Sequence, residues 1–407
     1  MSQKASLSAR GPGRSAGGTT PSRCRRTAGL ALALAGLALS GLALPGFAGA
    51  QEPDLSQVPL YKPEFHVVGR LRIAGSPLKG LLPLLMEGFE KAQPDALVSG
   101  NYMTESEGAL GMMFSGVSDI APMGDDAKIT DQMPFYNTFG YTPTEISVAT
   151  GCYNQRGCLY AWAIMVNKDN PIAHLSMQQL DEIFGSERTG AWQVGGPQHA
   201  ILFTAKYARS AKTNIRTWGQ LGLKGSWAHR EIQTWGYVAP GFAVSFERHV
   251  MHWSDKWNPN FHEVVEQKEA TPDADGQKVW SERMYEAVSQ DKYAIGWGAL
   301  MHVDGTCVNP NATKCEPYPN VKILAISATP DGPAIPLTAP NVRNRSYPLS
   351  RDAYIYVNKP PGRPLDPGVR EFIRFVLSRQ GQQIIASQGI YTPLPESDIE
   401  QQLKKID

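Results

Sequence analysis

The chain has 407 residues, 42% of them hydrophobic and 19% charged, which is ordinary globular composition and long enough for two or three domains with filled cores. Its 39 basic and 38 acidic residues nearly cancel. Set apart from six bases in the first 26 residues, the balance is 33 to 38, a mildly acidic −5 that carries no electrostatic footprint for nucleic acid or an anionic membrane.

Residues 1–26 hold Lys4, Arg10, Arg14, Arg23, Arg25 and Arg26 and no acid; an apolar run fills 28–44, followed by Pro45 and Ala48-Gly49-Ala50. A positive n-region, an apolar h-region and a small-x-small site predict a secretory signal peptide over residues 1–50, cleaved near Ala50. A membrane anchor is the competing reading, but ~17 residues is at the short edge for a span. Arg25-Arg26 keeps the twin-arginine route open beside general secretion. Residues 51–66, polar and punctuated by Pro, read as a flexible lead-in.

The pattern then becomes strand, turn, helix. Residues 67–75 predict a buried strand, with Ser76 as helix cap and Pro77 at the first helical position. Leu81, Leu82, Leu84, Leu85 and Phe89 recur at helical spacing behind them. Residues 96–103 predict a second strand, and Thr104 with Glu107 a capping box before ALGMMF. Residues 117–124 form a third short strand and turn. Repetition of this unit predicts an α/β fold, whose ligands gather beyond the carboxyl ends of the strands.

Two similar buried strands, within 161–185 and 347–362, are about 190 residues apart and fit two crossings between lobes. Residues 292–300 and 320–327 read as strands of the second lobe, and residues 368–389 as one terminal helix presenting Phe372, Ile373, Phe375, Val376 and Leu377 to a core.

Four cysteines follow the leader in two tight pairs. Cys152 and Cys158 enclose YNQRG, and Cys307 and Cys315 enclose VNPNATK. Short turn-forming intervals in an exported chain predict two disulfide-closed loops; the competing metal reading lacks C-x-x-C spacing and an interleaved His. His249 and His252 are three apart, with His262 and Glu263 nearby, and read as a surface pair rather than a metal site. Trp218, Trp227, Trp235, Trp253 and Trp257 read as packing residues. No G-x-S-x-G, H-E-x-x-H or P-loop pattern occurs, so no enzyme activity and no cofactor are expected.

Seven segments, in order, resemble the phosphate-binding-protein family of ABC-transporter substrate-binding proteins. They are AGSPLKG from Ala74, VSDIAPMG from Val117, AIMVNKDNP with LSMQQLDEIF from Ala163, and TWGQLGLKGSWAHREI from Thr217. YAIGWGAL from Tyr293, YPLSRDAYIYVN from Tyr347, and EFIRFVLSRQGQQII with GIYTPLP from Glu371 complete the set. The resemblance implies a two-lobe periplasmic binding protein, type II-like, with mostly parallel sheets flanked by helices and two crossing hinge strands. Lobe 1 is expected over 67–163 and 345–407, lobe 2 over 164–344. The implied role is binding phosphate or a related oxyanion between the lobes, as a periplasmic monomer that docks on an inner-membrane ABC permease.

The family's ligand loops map onto this sequence with departures. Ser76 matches the first loop, but Pro77 removes an amide donor and Leu78 follows. Thr104 or Ser106 can donate from the second loop, between Glu105 and Glu107. Asp125 is the retained carboxylate, able to accept the proton of a protonated phosphate, while Asp119 holds a turn. In the last loop Tyr237 stands where the family has Arg, and Gly241 and Phe242 where it has Ser-Gly-Thr. Losing a charged hydrogen bond and two hydroxyl contacts implies ~10²–10⁴-fold weaker phosphate binding unless Lys79, Arg209, Lys212, Arg216 or Arg230 reaches the cleft. The apolar lining of Leu78, Tyr237 and Phe242 suits the alternative, a less charged ligand; a partner-interaction protein without transport is the other.

Overall fold

The first apolar run forms strand β1 (Gly69–Ala74), followed by helix α1 (Leu81–Ala92), β2 (Ala96–Asn101), α2 (Ala109–Phe114), β3 (Ile120–Met123), α3 (Ile129–Phe139) and β4 (Thr144–Thr150). A computed structural model describes residues 54–104, 106–151, 161–237, 242–264, 280–299 and 320–407. The leader, Gly241 and the cysteines at 152, 158, 307 and 315 lie outside the described residues, and with them the expected cleavage and disulfides.

The second part of the chain supplies β5 (Trp162–Asn167), β6 (His174–Ser176), α4 (Met177–Phe184), β7 (Ala191–Gly195), β8 (Ala200–Thr204) and β9 (Gln233–Gly236). It continues with α5 (Phe242–His249), β10 (Phe261–Glu263), α6 (Trp280–Gln290), β11 (Ala294–Ala299), β12 (Val321–Ile323) and β13 (Ala325–Ser327). Strand β14 (Asp352–Val357) and the helices Pro367–Val376, Arg379–Gln388 and Glu396–Leu403 close the fold.

These elements build two five-stranded sheets of the same plan, ordered β2-β1-β3-β14-β4 and β10-β9-β11-β5-β12. In each, three strands run parallel and the fourth is antiparallel to both neighbours. The antiparallel fourth strand is the one the other half sends across: β14 returns to the first sheet, and β5 enters the second. Every residue of both strands is buried, the signature of strands covered on both faces.

Each sheet has its own core. The first packs Leu71, Ile73, Ile355, Leu82, Phe89, Phe372 and Phe375 on one face, and Met113, Phe135, Tyr354 and Tyr356 on the other. The second is rich in aromatics, with Trp162, Trp218, Trp297, Tyr237 and Phe246 all fully buried. Full burial of an apolar side chain contributes roughly 1.5–3 kcal/mol, so both halves have ample driving force.

The crossings lie side by side. Trp162 N donates to Leu349 O at 2.9 Å, Gly151 N to Arg351 O at 2.7 Å, and Tyr347 Oη to Trp162 O at 2.8 Å. Residues 347–351 are thus stitched to both ends of the connection between β4 and β5.

Local differences from the sequence expectations have clear causes. Helix α1 starts at Leu81, not at Pro77, because Leu78 and Lys79 take left-handed backbone with φ of 49° and 54°. The expected Thr104–Glu107 capping box does not form: α2 starts at Ala109 behind Gly108, with no side-chain cap. The single terminal helix is two, since Ser378 Oγ accepts from Gly381 N at 3.3 Å and caps the second. At Ser176 the expected cap is present in full, with Gln179 answering it. The strand expected over 320–327 is likewise two, β12 and β13, which join different sheets.

Candidate functional site

The first three parallel strands end together. At Gly75, φ is 147° and a Cβ would lie 2.4 Å from Pro122 O, so only glycine lets the loop after β1 close on the end of β3. Ser76 N donates to that carbonyl at 2.9 Å. Ser106 Oγ accepts from Gly124 N at 3.1 Å, which ties the second loop to the same strand end. Ser76, Ser106 and Asp125 therefore gather around the carboxyl end of β3.

The amide donors of the first loop are consumed within the protein. Gly75 N donates to Asn101 O, Leu78 N to Ser76 Oγ, and both Gly80 N and Leu82 N to Pro77 O. What Ser76 retains is its hydroxyl proton. Leu78 is fully buried in the first core and does not line a cleft, which corrects its expected role. Thr104 Oγ1 is buried with no partner among the described residues, while Glu107 is exposed and lies on the wall of a recess that Asp131 also lines.

A cation that the sequence did not single out stands at the gathered strand ends. Arg351, in the returning crossing, forms a charged hydrogen bond with Asp125 and also donates to Gly124 O at 3.2 Å. Its guanidinium lies 4.6 Å from the Trp162 ring centroid and 5.6 Å from that of Phe242. Stacking of this kind adds about 0.5–2 kcal/mol and fixes the guanidinium plane. Phe242, at the start of α5, meets Trp162 edge-on at 5.2 Å, and Tyr237 stands behind it at 5.7 Å. Tyr237 is fully buried, packed edge-on against Trp297 at 5.2 Å, so it belongs to the second core.

The five bases considered as replacements are engaged elsewhere or exposed. Arg209 donates to Asn214 Oδ1 and Asp181 O, Arg216 to the carbonyls of Glu182 and Gly185, and Arg230 lies over Tyr293. Lys79 and Lys212 are exposed. Arg351 was legible only as the base ahead of the buried strand in YPLSRDAYIYVN; nothing local tells that it turns toward Asp125.

A second arginine meets the next residue. Arg248 of α5 donates to Asp126 Oδ1 at 2.6 Å and, through both terminal nitrogens, to Glu145 at 2.7 and 2.8 Å. Tyr356 Oη donates to the same carboxylate at 2.5 Å. Burial is the largest single influence and pushes Asp126 and Glu145 up, but Arg248, His249 and Arg351 together outweigh it at Asp126, and Arg248 with the Tyr356 hydrogen bond does so at Glu145, so both pKa values lie below the ordinary carboxylate range. His249 thus faces Asp126 at 3.5 Å, whereas His252 stacks on Tyr207 at 4.1 Å, so the two histidines do not share a site.

Beside these groups lies this recess, lined by Ser106, Glu107, Met123, Asp125, Asp126, Lys128 and Asp131, with a volume of about 10 Å³. That is room for about one water. A solute of several atoms requires the loops to part.

Residues 62–380 match the model of the PBP superfamily domain. The phosphate-binding protein PstS of Pseudomonas aeruginosa is 27% identical over 350 residues, 86% of this chain and 90% of that protein. Among solved structures, an ABC-type phosphate transport receptor from Vibrio cholerae aligns with a TM-score of 0.44 and 19% identity, covering 80% of this chain and 100% of that one. PstS from Borrelia burgdorferi aligns with a TM-score of 0.47 and 15% identity, covering 80% and 99%. With the matched domain spanning most of its length, the chain belongs to the PBP superfamily.

Proposed function

We propose that this chain is the exported solute-binding component of an ABC importer, taking phosphate or a related oxyanion between its halves. Family membership supports the class of function, and the leader-like residues 1–50 support export to the periplasm. The observation that carries the ligand is the Arg351–Asp125 pair at the gathered strand ends. Arg351 supplies the permanent positive charge that Tyr237 cannot. The Asp125 carboxylate beside it is an acceptor, and so favours an oxyanion that still carries a proton over one that carries none. The hydroxyls of Ser76, Thr104 and Ser106 are the remaining donors. Ligand binding works by differential affinity: the solute stabilises one arrangement of the halves, which an inner-membrane permease then reads.

A less charged solute is the second reading. It draws on the spent amides of the first loop and the aromatic wall of Trp162 and Phe242.

Titration calorimetry of the purified chain with phosphate and with sulfate separates the two. The expectation is binding of phosphate in preference to sulfate, weakened about ten- to hundredfold in Arg351→Met, as loss of one charged hydrogen bond dictates. Absence of heat and of any thermal shift with phosphate removes the oxyanion and leaves the second reading.

A further inference from the structure

The β7–β8 hairpin of the second half reaches across to the first. Its five ladder positions run from Ala191–Thr204 to Gly195–Ala200, and past the tip His199 O accepts from Thr142 N at 2.8 Å. Gly195 and Gly196, with φ of 77° and 74°, and His199, with φ of 46°, make the turn tight enough to lie flat against the start of β4. Under this strap is a cavity of about 500 Å³, within the range of small-molecule pockets. It shares no lining residue with the recess at the strand ends, and Arg351 does not line it.

The walls are cationic. Arg248, Lys359, Lys404 and Lys405 line the cavity with one carboxylate, Glu145; Arg248 is itself paired with Glu145 and Asp126, so the positive charge of the walls rests on the lysines. Lys405 Nζ donates to Glu145 O at 2.9 Å and to Gln402 Oε1 at 2.7 Å, while Lys359 Nζ donates to Lys405 O at 3.0 Å and to the terminal carboxylate of Asp407 at 2.5 Å. The neutral partners of Lys405 fix its ammonium group without cancelling its charge. Lys404 is exposed at the rim. Trp253 offers a flat surface on the wall, its ring 5.5 Å from the Arg248 guanidinium. His252 and Trp253 both adopt left-handed backbone, φ 56° and 64°, a pair of sparsely populated conformations of the kind held at ligand clamps.

We propose that this cavity is a second ligand site, for a small organic polyanion carrying two or more carboxylate or phosphate groups. Walls from both halves make it an effector site: Val194, Gly195, Arg248 and Trp253 come from the second sheet's half, Glu145 and the lysines from the first. A ligand bridging them shifts the halves toward the arrangement seen here, and by reciprocity raises affinity for a solute at the strand ends.

The test uses the full chain with citrate and with inorganic pyrophosphate as probes, read by the emission of Trp253 and by calorimetry. Binding tighter than about 1 mM is expected for at least one probe, with a change in emission that Trp253→Phe abolishes. Lys404→Glu, a change at an exposed rim position that leaves the core untouched, weakens it by about tenfold or more, whereas Arg351→Met leaves it unaltered. Citrate alone, or pyrophosphate alone, tells which anionic group the walls accept. Two results overturn the site: no binding of either probe, or binding that Arg351→Met removes and Lys404→Glu does not, which assigns the anion to the strand-end recess instead.

Discussion

Arg248 and Asp126 join the two halves of the molecule: the guanidinium of one half donates at 2.6 Å to a carboxylate of the other whose side chain is 1% exposed. Asp126 follows Asp125 directly, so two consecutive carboxylates at the end of β3 each hold an arginine, one from the returning crossing and one from α5. The end of a single short strand is where the parts of this protein are registered against each other.

Removing Arg248 strands two largely buried carboxylates. Arg248→Met is expected to destabilise the fold by about 3–5 kcal/mol, measured by denaturant unfolding near pH 7. The sign of the pH dependence follows from Asp126 and Glu145, whose pKa values are depressed in the folded state. Their contribution is present above the unfolded carboxylate value of about 4 and is lost as pH falls. The gap between parent and variant should therefore close in acid. A gap that stays constant down to pH 3 would show that the clasp contributes nothing through charge.

Glu247, one residue earlier on α5, behaves in the opposite sense. Burial pushes its carboxyl up to about 7, against the hydrogen bond from Trp257 Nε1 at 3.0 Å. Folding then favours the protonated form, so stability from this group is full below the unfolded value and falls as pH rises toward 7. Glu247→Gln keeps the acceptor for Trp257 and removes the titration. It is expected to gain up to about 2–3 kcal/mol at pH 8 and little at pH 4.5, seen as a melting-temperature difference that widens with pH.

Tyr391 is buried, its hydroxyl has no partner among the described residues, and burial, with the charge of Asp125, raises its pKa. Tyr391→Phe is expected to melt no lower than the parent, with a gain of about 1 kcal/mol in the ligand-free protein as an unsatisfied group is removed. In the phosphate titration the same variant should bind a fewfold more weakly, since the hydroxyl stands near Asp125 and Arg351 as an uncommitted donor. A drop in melting temperature would instead reveal a structural bond.

The sequence by itself determined the elements and the plan. Periodicity and small turn residues placed β1 to β3 and the capped helix after Ser176. Two runs of apolar residues became β5 and β14, the strands that each half sends into the other. These features were legible because burial of one face, or of both, is written into local spacing. Ser76, Ser106 and Asp125 came instead from the resemblance to the phosphate-binding-protein family, whose ligand loops map onto those positions.

Only the tertiary structure decided what surrounds them. Leu78 and Tyr237 left the expected lining for the two cores, because left-handed backbone at 78–79 turned the first loop inward and an aromatic stack absorbed Tyr237. Arg351 came to Asp125 across 226 residues of chain, and Arg248 to Asp126 across 122. A charge pair at that separation leaves no periodic trace in sequence: it depends on which side of a hinge two strands emerge, and that is settled by the packing of both halves at once.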